Sequence, residues 1–250
     1  MTRSCIYNIK VDTETAARLI DLNRRFYQTF ALQFSATRQR LQPGVLRLLD
    51  QISSQENILD LGCGNGELGK ELSRRGHQGF YVGLDASAEF LNIAQENLPQ
   101  TTSITFLQID LSNPNWDDEL PLAEFDLILA FAVLHHIPGS DLRKQLLEKI
   151  NTLLHKDGCF IHSEWQFLHS ARLRDRIQPW DRIGLDSKLV DPGDYLIDWR
   201  RGGQGLRYVH SFNSNELAAL AADSGFEILE TFASDGKGGN LGLYQIWKRV

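Results

Sequence analysis

Between Asp12 and Phe34 the apolar residues Ala16, Leu19, Ile20, Phe26, Tyr27 and Phe30 recur at close to helical spacing, which predicts an amphipathic helix. A second helix is expected from Pro43 to about Ile52, with the proline in its first turn. From residue 56 the texture changes to short apolar runs alternating with helical stretches. Ile58–Leu61, Phe80–Leu84, Ile104–Ile109, Phe125–Ala130 and Gly158–His162 read as strands. Leu68–Arg75, a segment through Phe90, Leu91 and Ala94, and Leu142–Leu154 read as helices. That alternation implies parallel βαβ units in one doubly wound sheet.

The rhythm breaks between Trp165 and Phe212. The segment is rich in Arg, Asp, Gly and Trp, and its aromatic residues argue for a folded cap rather than disorder. Regular structure returns with a helix from Ser214 to Ser224, stopped by Gly225. Phe226–Phe232 and Leu241–Trp247 then predict two strands joined by a turn-rich loop, a closing antiparallel hairpin. The expected fold class is α/β: a Rossmann-like, doubly wound, seven-stranded sheet with a terminal antiparallel hairpin, N-terminal helices and a cap insertion. One domain, 1–250, divides into N-terminal helices (1–55), a cofactor-binding core (56–164), the cap (165–212) and a C-terminal helix and hairpin (213–250).

Composition changes this picture little. The chain has 250 residues, 42% hydrophobic and 23% charged, enough to bury a full core. No run approaches the roughly 20 apolar residues of a membrane span, and the N-terminus lacks the apolar stretch of a signal peptide. A cytoplasmic location, with no membrane partner, is the expectation. Cys5, Cys63 and Cys159 are scattered and odd in number, which argues for reduced thiols rather than disulfides or a zinc site. The net charge is −6, yet residues 1–47 hold eight basic and three acidic side chains. A second basic run includes Arg172, Arg174, Arg176, Arg182, Arg200, Arg201 and Arg207, interleaved with acids. Solvated faces and a phosphate-contacting surface are both compatible with these runs.

The chemistry concentrates after the first predicted strand. Gly62, Gly64 and Gly66 form a G-x-G-x-G turn where a ligand can approach the backbone. Glu67 stands where a dinucleotide fingerprint would want its third glycine, which disfavours NAD and FAD. Asp60 would repel a pyrophosphate but suits a ligand carrying ammonium and sulfonium charges. Asp85 ends the second strand, where a carboxylate can accept from two ribose hydroxyls, and Asp110 ends the third, within reach of an adenine amino group.

Ile58-Leu-Asp-Leu-Gly-Cys-Gly-Asn-Gly66, Val82-Gly-Leu-Asp-Ala-Ser87, Gln108-Ile-Asp-Leu111 and Phe125-Asp-Leu-Ile-Leu-Ala130 resemble the successive motifs of class I S-adenosylmethionine-dependent methyltransferases. The resemblance implies S-adenosylmethionine as cofactor. It places Gly62 and Gly64 at the methionine portion, Asp85 at the ribose, Asp110 and Leu111 at the adenine, and Ala130 and Phe131 beside the sulfonium. Asn65 and Ala86, inside these motifs, complete the cofactor set with Asp60 and Arg38.

Outside the core, Phe26-Tyr-Gln-Thr-Phe-Ala-Leu-Gln-Phe-Ser-Ala-Thr-Arg38, Phe131-Ala-Val-Leu-His-His-Ile137, Gly193-Asp-Tyr-Leu-Ile-Asp-Trp199 and Gly205-Leu-Arg-Tyr-Val-His-Ser-Phe212 are similar to the tRNA wobble-uridine methyltransferases that esterify 5-carboxymethyluridine. That family includes the methyltransferase domain of the AlkB-like tRNA enzyme. Where it has Tyr-Tyr-His-Leu-Phe, this chain has Tyr208-Val-His-Ser-Phe212. The resemblance implies a tRNA substrate and a small activating protein subunit. A carboxylate acceptor is ionised at neutral pH and needs no general base, so the protein's task is alignment.

Arg38 is suited to grip a carboxylate, that of methionine by the resemblance, or that of the acceptor. His135 is the catalytic candidate, to orient the acceptor or to act as base on a neutral one; His136 is second to it. Adjacent histidines do not make a metal site, and no metal is expected. Tyr27, Trp165, Trp199, Arg207, Tyr208 and His210 are the substrate-binding candidates. Tyr208 and His210 alternate onto one strand face, where they would stack on and bond an unpaired base; the tryptophans could equally anchor the cap. Three functions stay open: a tRNA carboxymethyluridine methyltransferase, a small-molecule methyltransferase, and a non-catalytic cofactor-binding partner protein.

Overall fold

A computed structural model describes residues 11–98 and 103–250. Cys5 and the extreme N-terminus lie outside the described residues. The long helix α1 (Thr13–Ser35) starts on Asp12, whose side chain accepts from the Thr15 N–H, and bends at Phe30. The short helix α2 (Pro43–Leu49) opens on its proline and stops before the expected Ile52. The core then runs β1 (Ile58–Leu61), α3 (Glu67–Arg74), β2 (Tyr81–Asp85), α4 (Ala88–Asn97), β3 (Ile104–Gln108), β4 (Phe125–Phe131), α5 (Ser140–Leu153) and β5 (Leu154–Trp165). The cap contributes the short helix α6 (Ala171–Arg174) and strands β6 (Ile177–Gln178), β7 (Asp194–Trp199) and β8 (Gly205–His210). Helix α7 (Ser214–Asp223) and strands β9 (Phe226–Ser234) and β10 (Gly242–Arg249) close the chain.

The main sheet has seven strands in the order β3-β2-β1-β4-β5-β10-β9. The first five pair in parallel, while β10 runs antiparallel to both β5 and β9. The strand order reverses beside β1, so its carboxyl end, between those of β2 and β4, opens a crevice. Strand β5 is longer than expected at both ends: Leu154 pairs with Phe125 of β4, and its last residues pair with the hairpin, Trp165 opposite Gly242.

Alternation along the strands feeds two cores. Leu59, Leu61, Ile128, Ala130 and Phe160 pack with Leu147, Ile150 and Leu217 of α5 and α7 on one face. Ile58, Leu127, Leu129 and Tyr81 pack with Leu48, Leu68 and Leu72 of α2 and α3 on the other. A Leu or Ile buried in this way is worth about 1.5–3 kcal/mol, so these strands fix the floor of the crevice.

The cap is a second, three-stranded antiparallel sheet, β6-β7-β8, lying against α1. It is tied to the core by a closed polar network. Arg143 of α5 donates to the Tyr208 hydroxyl at 3.0 Å, and that hydroxyl donates to Asp194 at 2.7 Å. His210 donates from Nδ1 to Asp194 at 2.6 Å and from Nε2 to Glu216 at 2.8 Å. Burial alone would pull the His210 pKa down, but the bonds to the two carboxylates outweigh it and hold it above its ordinary value. Among the described residues, no helix is long and apolar enough to cross a membrane.

Candidate active site

A cavity of about 570 Å³ opens at the crevice, under α1 and the cap. Its first end is built on the turn after β1. Gly62, Gly64 and Gly66 all take positive φ, at 69°, 54° and 76°, a backbone that L side chains resist. A Cβ on Gly62 would meet the Val133 side chain at 2.7 Å, whereas one on Gly64 would enter open space. The turn therefore presents bare backbone to whatever fills the cavity.

Asp85 organises this end. It accepts from the Gly64 and Ser87 N–H groups at 3.0 and 2.9 Å. Burial still raises its pKa to about 6, only partly countered by those bonds. Asp60 is 3% exposed and accepts from the Tyr81 hydroxyl at 2.5 Å. Burial lifts its pKa to about 7, against the Tyr81 bond and with the help of the Asp85 charge. Asp110 accepts from the Ser112 N–H and hydroxyl at 2.9 and 2.6 Å. Asn65 donates to Ser35 Oγ at 3.0 Å, fastening the turn to the end of α1. Arg38, Asp60, Gly62, Gly64, Asn65, Asp85, Ala86, Asp110, Leu111 and Phe131 all line the one cavity.

Ala130 does not. It is fully buried in β4 and faces the core; Phe131, Ala132 and Val133 form the wall instead. Ala132 has φ of 61°, rare for a non-glycine residue, and its N–H is held by Ser163 through the carbonyl at 3.0 Å and the hydroxyl at 3.1 Å. That turn swings the chain into the one-turn helix carrying His135 and His136.

The other end of the cavity is cationic and aromatic. His136 Nδ1 lies 3.2 Å from the Tyr208 carbonyl and 3.4 Å from Asn23 Nδ2, and its Nε2 lies 2.8 Å from the Tyr27 hydroxyl. Tyr27 in turn accepts from Arg207 Nη1 at 3.1 Å. Both His136 nitrogens are thus engaged, and burial together with the Arg207 charge brings its pKa to about 3. Arg207 is 6% exposed, and its guanidinium sits 4.9 Å from the Trp165 ring centroid and 5.5 Å from that of Phe26. Among the described residues it has no carboxylate partner, and its Nε is buried without a hydrogen bond. Arg24, Arg38, Arg40 and Arg172 line the same cavity and are exposed. His135 also lines it; its Nδ1 is 3.0 Å from Glu164.

Three substrate-binding candidates lie elsewhere. Tyr208 and His210 are buried in the network that anchors the cap, so neither ring is free to stack on a base. Strand alternation did put them on one face, but that face turns to Arg143 and α7, while Arg207 turns to the cavity. Trp199 is 8% exposed and packs edge-on against Phe26 at 5.9 Å, an anchoring role. Tyr27, Trp165 and Arg207 do meet in the cavity. Glu164, Asn23, Asp235 and Tyr244 also line it and were not foreseen. A charged residue ending a core strand is a signal that could have found Glu164; the hairpin pair, with Tyr244 donating to Asp235 at 2.5 Å, has none.

The sequence model of a methyltransferase domain family matches residues 59–160. An Encephalitozoon cuniculi protein named as a methyltransferase is 30% identical over 82% of this chain and 87% of its own length. The chain belongs to the class I S-adenosylmethionine-dependent methyltransferases. A tRNA (carboxymethyluridine(34)-5-O)-methyltransferase of Schizosaccharomyces pombe is 25% identical over 82% of this chain and 88% of its own. Against enzymes of that name from Arabidopsis thaliana and Mus musculus, the chain spans only 32% and 30% of the relative's length. A trans-aconitate 2-methyltransferase of Pseudomonas paraeruginosa is 34% identical over 83% of this chain and 66% of its own. The same methyltransferase fold appears in the Burkholderia thailandensis 1,6-didemethyltoxoflavin-N1-methyltransferase bound to S-adenosylhomocysteine, at 19% identity and a TM-score of 0.62 over 94% of this chain and 90% of that one. It appears again in a methyltransferase from a complex with the Haloferax volcanii Trm112 activator, at 16% identity and a TM-score of 0.64 over 90% and 96%. For a methyltransferase of this class the cofactor is S-adenosylmethionine, and the bare Gly64 backbone beside three carboxylates fits a cationic, hydroxyl-bearing ligand.

Proposed function

We propose that this methyltransferase esterifies a carboxylate, and that its acceptor is the 5-carboxymethyl group of the wobble uridine of tRNA. The observation that carries the proposal is Arg207, a buried cation with no carboxylate partner among the described residues, on the cavity wall. A desolvated guanidinium calls for an anion, and a carboxylate matches its fork. The exposed arginines at 24, 38, 40 and 172 line the same cavity and offer cationic contacts for a phosphate backbone. The names of the fission yeast and Pseudomonas relatives both specify acceptors that carry carboxyl groups.

The division of labour follows. Asp85 receives the ribose hydroxyls, Asp110 and Leu111 the adenine, and Gly62, Gly64 and Asn65 the methionine portion, with Asp60 supplying negative charge near its ammonium. Ala86 and Phe131 complete the wall. The cofactor supplies a methyl group on a positively charged sulfur. Arg207, held by Tyr27 and His136, would align one oxygen of the acceptor carboxylate with the methyl group that the bound cofactor would supply. No proton has to move, and orientation can supply on the order of 7–11 kcal/mol of the barrier. Arg38 is placed to hold the methionine carboxylate, and a small activating subunit belongs to the same proposal.

The second reading is a small-acid methyltransferase, favoured by the net charge of −6 and by the trans-aconitate relative. Protein given labelled cofactor and tRNA bearing 5-carboxymethyluridine should yield label that mild alkali releases. Transfer to trans-aconitate with none to tRNA would select the second reading.

A further inference from the structure

Behind the acceptor wall lies a buried group that methyl transfer to an ionised carboxylate does not require. Glu164, at the end of β5, is 1% exposed and sits between two imidazoles: its Oε1 is 3.0 Å from His162 Nδ1 and its Oε2 is 3.0 Å from His135 Nδ1. His162 is fully buried and its Nε2 has no hydrogen-bond partner.

The peptide N–H of Trp165 also points at His135 Nδ1, at 3.5 Å. A peptide N–H can only donate, so that nitrogen carries its lone pair and not a hydrogen. Glu164 must then bring the proton to the 3.0 Å contact. A carboxylic acid has one O–H to give and one carbonyl oxygen to accept with, which satisfies both imidazoles: O–H to His135, and His162 N–H to the other oxygen.

We infer that Glu164 is a neutral carboxylic acid that positions His135, so that His135 presents an Nε2–H donor to the acceptor carboxylate. The assignment deepens the proposed carboxylate function and rests on it for the identity of the anion, though not for the proton on Glu164. Electrostatics agree. Burial pushes the Glu164 pKa well up, against the pull of Arg143 and of a hydrogen bond from the His135 peptide N–H, and burial pushes both imidazoles down, directions that favour three neutral groups. Three neutral groups avoid the penalty of an unpaired buried charge. His135 then adds a second, uncharged donor beside Arg207; a neutral carboxamide in place of the acceptor carboxylate would keep one acceptor oxygen, and a bare methyl would forfeit both contacts.

Two measurements decide it. In infrared difference spectra of the cofactor-free protein, labelled with ¹³C-glutamate, wild type minus Glu164→Gln should show a protonated carboxyl band at neutral pH; no such band overturns the inference. With the uridine-acid tRNA as probe, Glu164→Leu should raise KM about 10–100-fold, the loss of one charge-assisted hydrogen bond. Glu164→Gln should recover most of that loss, because its amide gives one donor and one acceptor in the same places. A folded Gln variant as impaired as the Leu variant would show that an ionised carboxylate is needed. Should the Gln variant not fold, ¹⁵N-histidine NMR of the wild type reads the His135 tautomer directly, with Nε2–H supporting and Nδ1–H contradicting. Wild type inactive on tRNA and on trans-aconitate, with the carboxyl band present, would sink the carboxylate function and leave the protonated Glu164 standing.

Discussion

At one end of the cavity the wall is glycine backbone and carboxylates, Asp60, Asp85 and Asp110; at the other it is guanidinium and aromatic rings, Arg207, Tyr27 and Trp165. The acidic end sits at the carboxyl ends of the parallel strands, on the end of β1 and the turn after it, the last residue of β2 and the residues just after β3. The basic end is assembled from pieces far apart in the chain: α1, the helix turn after β4, and the cap strand β8. Charge of opposite sign at the two ends suits a transfer in which a cationic donor meets an anionic acceptor. It also separates the tasks, so damage at one end should spare the other.

The largest test is Arg207→Ala. Truncating one partner of a buried charge pair costs about 2–5 kcal/mol, so kcat/KM for the acceptor should fall by roughly 100-fold or more. Cofactor affinity, measured by calorimetry, should hold; an equal loss at both ends would break the division. Asp85→Ala should do the converse, weakening cofactor binding by about 10–100-fold through lost hydrogen bonds to an ionised group, with acceptor KM little changed. Two of the carboxylates at the acidic end also give a pH dependence. Asp60 and Asp85 titrate near 7 and 6 in the cofactor-free protein, and a ligand of ammonium and hydroxyl donors needs both ionised. Below those values each must first release a proton, so affinity should fall as pH drops from 8 to 5, by up to about tenfold per unit per group. A flat calorimetric profile would argue that neither carboxylate meets the ligand. The smallest expected effect on activity is Tyr208→Phe, one residue from Arg207. It should cost about 1–3 kcal/mol of stability by leaving Asp194 and Arg143 short of a partner, seen as a lower Tm, while acceptor KM stays within about threefold.

That adjacent pair shows where sequence legibility ended. The strands, the glycine turn and the acidic residues closing β1, β2 and β3 were readable because the βα repeat forces them to one edge of the sheet. Arg207, Tyr208 and His210 read as one substrate-binding motif, yet a strand sends neighbours to opposite sides. Which side faced the cavity depended on Arg143 and Glu216, helix residues that close a network with Asp194, and no local pattern announces that. Ala130 misled by a single residue: the chain leaves the core only at Phe131, where the positive φ of Ala132 begins the turn. Glu164 was missed for a different reason, since its meaning lies in two imidazoles and a peptide N–H that only the fold brings together.

The central claim is that the basic end receives a carboxylate. Labelled methyl transfer should be compared on two tRNAs that differ only at the wobble uridine, one bearing 5-carboxymethyl and the other the equally shaped 5-carbamoylmethyl. The account predicts alkali-labile label on the acid and none on the amide, with Arg207→Ala abolishing the distinction by losing the acid. Equal transfer to both, or label that survives mild alkali, would contradict it.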